Sequence, residues 1–217
     1  EYTKKIPVHC TQVTYSVNGK ADFYADNENV YAFGERLFPL SDIKVVGRHN
    51  VQNVLVACAA AHALGVSDID IHSAISEFKG VEHRIEFVRE LNGVRYYNDS
   101  KGTNVDATVI ALKAFDCPTI LLAGGHEKGL AFEPLKAYLG NVKKVIGYGE
   151  CAPRLIKELT DNEGLLVENL EQALKAAVEM AQPGDVVLLS PTTSSFDQYS
   201  CFEERGEHFK KLVNALG

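Results

Sequence analysis

The sequence has no apolar run long enough to cross a bilayer as a helix. Its best candidate, residues 54–66, is short and is interrupted by His62. Excess positive charge is also missing: the formal net charge is -7 over 217 residues, and no block of like charge forms a basic arm. A chain with that balance is a poor holder of a phosphate backbone or an anionic bilayer, so no nucleic acid and no membrane is expected among its partners. The five cysteines, Cys10, Cys58, Cys117, Cys151 and Cys201, are odd in number, widely spaced and free of any CxxC pair. This argues against a disulfide framework or a zinc site and fits a reducing cytoplasm. His9, His62, His72 and His208 show no metal-ligand spacing, and His126 has no second ligand near it in sequence. A GxxxxGK[ST] phosphate loop is absent, since Asn18-Gly19-Lys20 is followed by Ala21. No nucleophile–base pair is evident: Cys201 has no histidine partner, and Ser195 sits in no nucleophile-elbow pattern. The only methionine is Met180, and no signal peptide opens the chain. The chain is therefore expected to start inside a longer protein.

What is present is an ordinary globular composition, 46% hydrophobic, enough for one large domain or two small ones. Residues 1–46 read as short strands of a small antiparallel sheet, with Asn18-Gly19 as a two-residue hairpin turn. A helix is expected over residues 51–64, with His49 and Asn50 as its caps, and a second over 69–78 behind Ser67 or Asp68. Lys79-Gly80-Val81-Glu82 reads as a linker, and His83 as a linker residue contacting nothing. The pattern then changes. Residues 85–91 and 94–98 flank Asn92-Gly93 as a hairpin. Helices at 105–115, 132–139, 151–159, 170–181 and 201–216 follow, interleaved with strands at 119–123, 142–148, 165–167 and 185–190. That alternation predicts an α/β fold, a mostly parallel sheet with helices on both faces.

In such sheets a ligand lies beyond the strand C-termini, and the polar residues are concentrated there. After the strand ending at Asn98 come Asp99, Ser100, Lys101, Gly102, Thr103 and Asn104. The next helix start offers unpaired N–H groups and a positive dipole end. The plainer reading of this turn is a helix cap at Thr103 or Asn104. Residues 124–129 (Gly-Gly-His-Glu-Lys-Gly) and 191–197 (Pro-Thr-Thr-Ser-Ser-Phe-Asp) occupy the same edge. Two lysines, Lys101 and Lys128, with the hydroxyls of Thr103 and Ser195, describe a pocket for a small, multiply anionic molecule.

These motifs, in this order, resemble the Mur ligases. The resemblance rests on residues 47–53 (Gly-Arg-His-Asn-Val-Gln-Asn), His83-Arg84, residues 98–104, residues 124–129 and residues 189–198. The D-S-K-x-T-N and S-P-x-x-x-S-x-D-Q forms are similar to the D-glutamate-adding branch. The resemblance implies residues 1–82 as the C-terminal remnant of a central ATP-binding domain. It implies residues 83–217 as a Rossmann-like domain for the incoming amino acid. The implied reaction is an ATP-dependent amide ligation of D-glutamate to UDP-N-acetylmuramoyl-L-alanine through an acyl phosphate, in peptidoglycan precursor synthesis. Implied roles are Asn53 at the adenine, Arg84 at the ATP phosphates and Asp99 at the ribose hydroxyls. Lys101, Thr103, Lys128, Ser195 and Phe202 would line the D-glutamate pocket, with Arg84 and Lys101 nearest the chemistry. The family's phosphate loop and the ligands of its Mg2+ are expected outside this chain, which would then be inactive alone. A monomer in the bacterial cytoplasm is expected. Gly102 stands where the pattern commonly has Ala, and should loosen the turn. Two other readings stay open: a non-catalytic Rossmann-like module binding a small dianion, and a related ligase for another acidic amino acid.

Overall fold

The computed structural model describes residues 10–161 and 163–217, and the chain divides into two compact units, Glu1–Lys79 and Gly80–Gly217. The first unit holds a four-stranded sheet in the order β1 (Tyr15–Ser16), β2 (Phe23–Ala25), β3 (Asn29–Ala32), β4 (Glu35–Pro39). β2 to β4 pair antiparallel. Asp26 makes the β2–β3 turn by accepting the N–H groups of Glu28 and Asn29 at 2.8 and 2.7 Å. β1 departs from the expected hairpin and runs parallel to β2, with Tyr15 opposite Phe23. A two-residue hairpin turn needs positive φ at its first central residue, and Asn18 does not adopt one. Instead Asp22 captures both the N–H and the hydroxyl of Thr14, each at 2.7 Å. Residues 8 and 9 of the expected first strand lie outside the described residues.

Helix α1 (Arg48–Ala63) starts ahead of residue 51, with Gly47 as N-cap at φ 94. Asn50 is therefore no cap but a first-turn residue whose amide donates to the Val46 carbonyl at 2.8 Å. The helix ends where Gly65, at φ 82, and Val66 donate back to His62 and Ala61, a paired C-terminal motif that glycine permits. α2 (Asp68–Glu77) is capped by the Ser67 side chain. Phe23, Val30, Phe38, Leu55, Cys58 and Ile71 form the core of this unit, and burial pushes the Cys58 thiol up to about 11.

The second unit is a six-stranded sheet in the order β5-β6-β10-β7-β8-β9. These are β5 (Glu86–Leu91), β6 (Val94–Asn98), β7 (Thr119–Gly124), β8 (Val142–Tyr148), β9 (Leu165–Leu166) and β10 (Val186–Leu189). Only β5 is antiparallel, joined to β6 through Asn92 and Gly93 at φ 53 and 75, the left-handed pair that a tight hairpin requires. β7 and β10 are buried throughout, which is why they read as continuous apolar runs. Helices α5 (Leu170–Met180) and α6 (Phe202–Asn214) pack with Ile120, Leu122, Ile146, Tyr148 and Leu189 on one face. Gly147, between Ile146 and Tyr148, must point the other way. There it approaches Ala152 and Ile156 of α4 (Ala152–Thr160) so closely that a Cβ would lie 2.8 Å from Ile156. Helices thus cover both faces. α3 (Val105–Leu112) stops short of residue 115. The helix expected over 132–139 is a 3-10 segment, Glu133–Tyr138, with Pro134 in its first turn; so short a stretch with no donor at that proline takes the tighter winding. Among the described residues no helix is long and apolar enough to cross a membrane.

Candidate functional site

Strand order sets three loops side by side. β10 lies between β6 and β7, so the loops leaving their C-terminal ends meet at one edge of the sheet. Hydrogen bonds join them directly. Asp99 N–H donates to Leu189 at 2.7 Å, Thr192 N–H to Gly102 at 2.9 Å, and His126 N–H to Ser194 at 2.9 Å. The Thr193 hydroxyl donates to the His126 carbonyl at 2.6 Å. Thr192 holds φ 66, a strained setting for a β-branched residue that the surrounding bonds must impose.

The Asp99 carboxylate is engaged at both of its oxygens. Ser190 Oγ donates to its Oδ2 at 2.7 Å, and the Ile85 N–H donates to its Oδ1 at 3.2 Å. Burial dominates over those bonds and over Arg84 and Arg205, and pushes the Asp99 carboxyl up to about 7. Gly102 does not loosen this turn. A Cβ there would lie 2.4 Å from Asp99 Oδ2 and 2.9 Å from Ser190 Oγ, so its missing side chain lets the carboxylate fold over the backbone. Asn104 caps α3 by accepting from Ala107 N–H at 2.8 Å, so the turn is a helix cap, and its Asp99 and Lys101 also line a cavity.

Arg84 reaches the same place through a strained segment. His83 and Ile85 have φ 64 and 47 and are buried, while Arg84 between them is exposed. The His83 carbonyl accepts the Lys101 N–H at 3.0 Å. His83 is far from a passive linker. Its ring lies against Gly206, where a Cβ would come within 2.2 Å of Nδ1, and Asn98 Nδ2 approaches Nδ1 at 3.0 Å. Arg84, Asp99 and Lys101 line one cavity of about 180 Å³, with Ile85, Gly102 and Ile110 among its other walls.

The remaining candidates are placed differently. Lys101 Nζ stands 5.6 Å from the centroid of the Phe202 ring. Thr103 is half-buried and Ser195 buried, and neither lines the cavity; nor do Lys128 and Phe202. Lys128 is exposed on the β7 loop. Asn53 belongs to the first unit, exposed on α1, with its amide donating to Asn50 Oδ1 at 3.3 Å.

Arg205, which sequence reading passed over, is fully buried beneath the loops. Its Nε donates to Ser100 Oγ and its Nη2 to the Ser100 carbonyl, both at 2.9 Å, with a longer bond to Thr193 at 3.3 Å. Ser100 Oγ in turn donates to the Phe202 carbonyl at 2.7 Å. Arg205 Nη1 and Ser194 Oγ are buried without a hydrogen-bond partner among the described residues. Ser190 is the other residue passed over. Glu82, His83 and Glu207 bring ligand atoms within 4.8 Å of one another, a spacing open to a metal ion. Lys210, however, pairs with Glu82 and, at 2.7 Å, with Glu207, so that cluster already holds a cation.

Comparison with known proteins bears on the family and the fold. Residues 83–193 match the family model described as "Mur ligase, glutamate ligase domain". The UDP-N-acetylmuramoylalanine–D-glutamate ligase of Bacillus subtilis is 42% identical over 196 residues, 89% of this chain and 44% of that protein. The ligase of the same name from Alkaliphilus metalliredigens is 46% identical over 181 residues, 82% of this chain and 40% of that one. The chain thus spans less than half the length of these relatives. Among solved structures, UDP-N-acetylmuramate-alanine ligase MurC from Thermotoga maritima superposes with TM-score 0.66 at 19% identity, covering 94% of this chain and 48% of that chain. E. coli FolC in complex with ADP gives TM-score 0.63 at 20% identity, covering 89% and 46%. At such identities the structures speak to fold, and the family model to kinship: the chain belongs to the Mur ligase family.

Proposed function

We propose that this chain supplies the D-glutamate site and part of the nucleotide site of an ATP-dependent ligase that joins D-glutamate to UDP-N-acetylmuramoyl-L-alanine. The product would be a peptidoglycan precursor made in the bacterial cytoplasm by a monomeric enzyme. The observation that carries the reading is the cavity shared by Arg84, Asp99 and Lys101, at the same sheet edge as the loop that bears the exposed Lys128. It is supported by relatives that bear that ligase's name at 40–46% identity.

The residues fit parts of the implied nucleotide in their chemistry. A buried carboxylate folded over Gly102 suits ribose hydroxyls, and an exposed guanidinium suits phosphate. At about 180 Å³ the cavity takes a sugar or an amino acid, not a whole nucleotide. Asp99 is accordingly assigned to the ribose, Arg84 to the phosphates and Asn53 to the adenine. Lys101, Thr103, Lys128, Ser195 and Phe202 are assigned to D-glutamate, lysines and hydroxyl taking its two carboxylates. ATP would activate the carboxylate of the UDP-linked substrate as an acyl phosphate; the D-glutamate amine would attack it and phosphate would leave. These residues bind and orient, which is where most of such a rate enhancement originates. The Mg2+ ligands and phosphate loop are assigned to a part of the ligase outside these residues.

The test is a titration of the 217-residue chain followed by backbone amide shifts. D-glutamate should perturb residues 101–103, 125–129 and 195–202, and ADP should perturb residues 84–85 and 99. L-glutamate and D-aspartate should bind more weakly. Preference for either would sink the D-glutamate assignment, and D-glutamate shifts with no ADP response would favour a simple dianion-binding module. With all three substrates present, the chain alone should release no phosphate.

A further inference from the structure

The loop after β7 is bonded to neighbouring backbone at Gly125 and His126, and beyond them it is held by carboxylates. Glu127, Gly129 and Phe132 donate their N–H groups to carboxylates, not to backbone carbonyls: Glu127 to Glu150 Oε2 at 3.1 Å, Gly129 to Glu127 Oε1 at 2.6 Å, and Phe132 to Glu158 Oε2 at 2.8 Å. Two of those three carboxylates are held by a single side chain. Arg154, on α4, grips Glu127 with Nε at 3.0 Å and Nη2 at 2.7 Å, and grips Glu158 with Nη1 at 2.6 Å. Its guanidinium also lies over the Phe132 ring, 4.5 Å from the centroid. The third carboxylate, Glu150, meets His126 Nδ1 at 2.8 Å. The residues on both sides of Lys128 are therefore fixed, and the ammonium between them has no partner among the described residues.

We propose that Arg154 is a positioning residue for the amino-acid site: its bidentate grip on Glu127 and its bond to Glu158 hold the Lys128 loop in shape and keep neighbouring carboxylates from capturing the Lys128 ammonium. The inference rests on the D-glutamate reading above and deepens it. Geometry distinguishes this arginine from a generic surface cation. A forked guanidinium can hold Glu127 by two parallel bonds while its third nitrogen reaches Glu158, which a lysine cannot do. The unbonded alternative is also specific. Without Arg154, Glu127 is left with an unmatched charge one residue away in sequence from the Lys128 ammonium that the ligand needs. A site whose supporting contacts are lost in this way keeps its residues and loses their geometry.

The experiment uses the intact chain with Arg154→Gln, Arg154→Lys, Glu127→Gln, the Arg154→Gln/Glu127→Gln double variant and Lys128→Met. D-glutamate affinity and amide relaxation at Glu127 and Gly129 are measured in each. Arg154→Gln should weaken D-glutamate roughly tenfold, leave ADP affinity unchanged and mobilise both amides. Arg154→Lys should recover only part of the loss. The double variant should be no weaker than Arg154→Gln, because both changes break one network. Since Ala152, Leu155, Ile156 and Leu159 carry the buried face of α4, the variants should fold. A lowered melting temperature with D-glutamate affinity within about twofold of the parent would overturn the proposal, as would additive losses in the double variant. If Lys128→Met binds D-glutamate as well as the parent, the site reading fails and this extension with it. The relaxation data then still show separately whether Arg154 orders the loop.

Discussion

Two loops at the same edge of this sheet are held by carboxylates in opposite ways. Asp99 anchors the loop after β6 from inside, at 3% exposure, and Glu127 anchors the loop after β7 from the surface. Burial pushes the Asp99 carboxyl up to about 7, while hydrogen bonds from Arg154 and the Gly129 N–H hold Glu127 down at about 2. The arginine behind each loop follows suit. Arg205 is sunk among carbonyls and a hydroxyl with no carboxylate hydrogen-bonded to it. Arg154 is one-third exposed and faces two glutamates. The lesson is electrostatic. A desolvated turn is stiff but costs free energy when it ionises, whereas a solvent-facing loop can be fixed with charge alone at little net cost.

The largest expected effect breaks this contrast on the buried side. The unfolded chain releases the Asp99 proton near the ordinary 3.8, and the folded chain near 7. Between those values the folded state binds more protons, so the stability this group contributes is full below about pH 4 and is lost as pH rises through about 7. The loss corresponds to about 4 kcal/mol. Asp99→Asn should remove that decline, and urea melts at about pH 4, 5.5 and 7.5 would show it. A decline equal to that of the parent would place the titration elsewhere. Next in size is Arg205→Ala. It strips the donors from Ser100 and Thr193 in a fully buried site and should cost about 3 kcal/mol. A loss of under about 1 kcal/mol would put Arg205 in the weak class of exposed pairs and erase the contrast.

How much of this could be read from the chain depends on the range of the interaction. Strands and helices of the second unit announce themselves by period, and Asn92-Gly93 by a backbone requirement local to two residues. Asn18-Gly19 carries the same letters, but Asp22 and Thr14 outside the turn decide the pairing. Proline in the first turn and a short span turned an expected α-helix at 132–139 into a 3-10 segment. The candidate lysines were visible because each sits on a polar loop after a strand. Arg205 was not. It lies in Phe-Glu-Glu-Arg-Gly-Glu-His-Phe, where an arginine looks like solvent-facing helix, and only the tertiary approach of Ser100 and Thr193 buries it. His83 was missed for the same reason, since its partner Gly206 is over a hundred residues away in sequence.

The smallest expected effect sharpens the contrast by separating folding from binding at one residue. Lys101 shares the buried loop with Asp99, yet its side chain is exposed, and among the described residues its ammonium has the Phe202 ring as partner, 5.6 Å from the centroid. An exposed cation–π contact is worth about 0.5–1 kcal/mol at most, and the backbone N–H bond from Lys101 to His83 survives any side-chain change. Lys101→Met removes the charge at similar side-chain length and should shift stability by less than about 0.5 kcal/mol. If the ammonium is held there for a ligand, the same variant should weaken D-glutamate by roughly tenfold or more, because a carboxylate loses its matching charge. A stability loss near that of Arg205→Ala would instead make Lys101 part of the scaffold, and the division between a loop that is built and a cation that is offered would fail at the residue where it is most exposed to test.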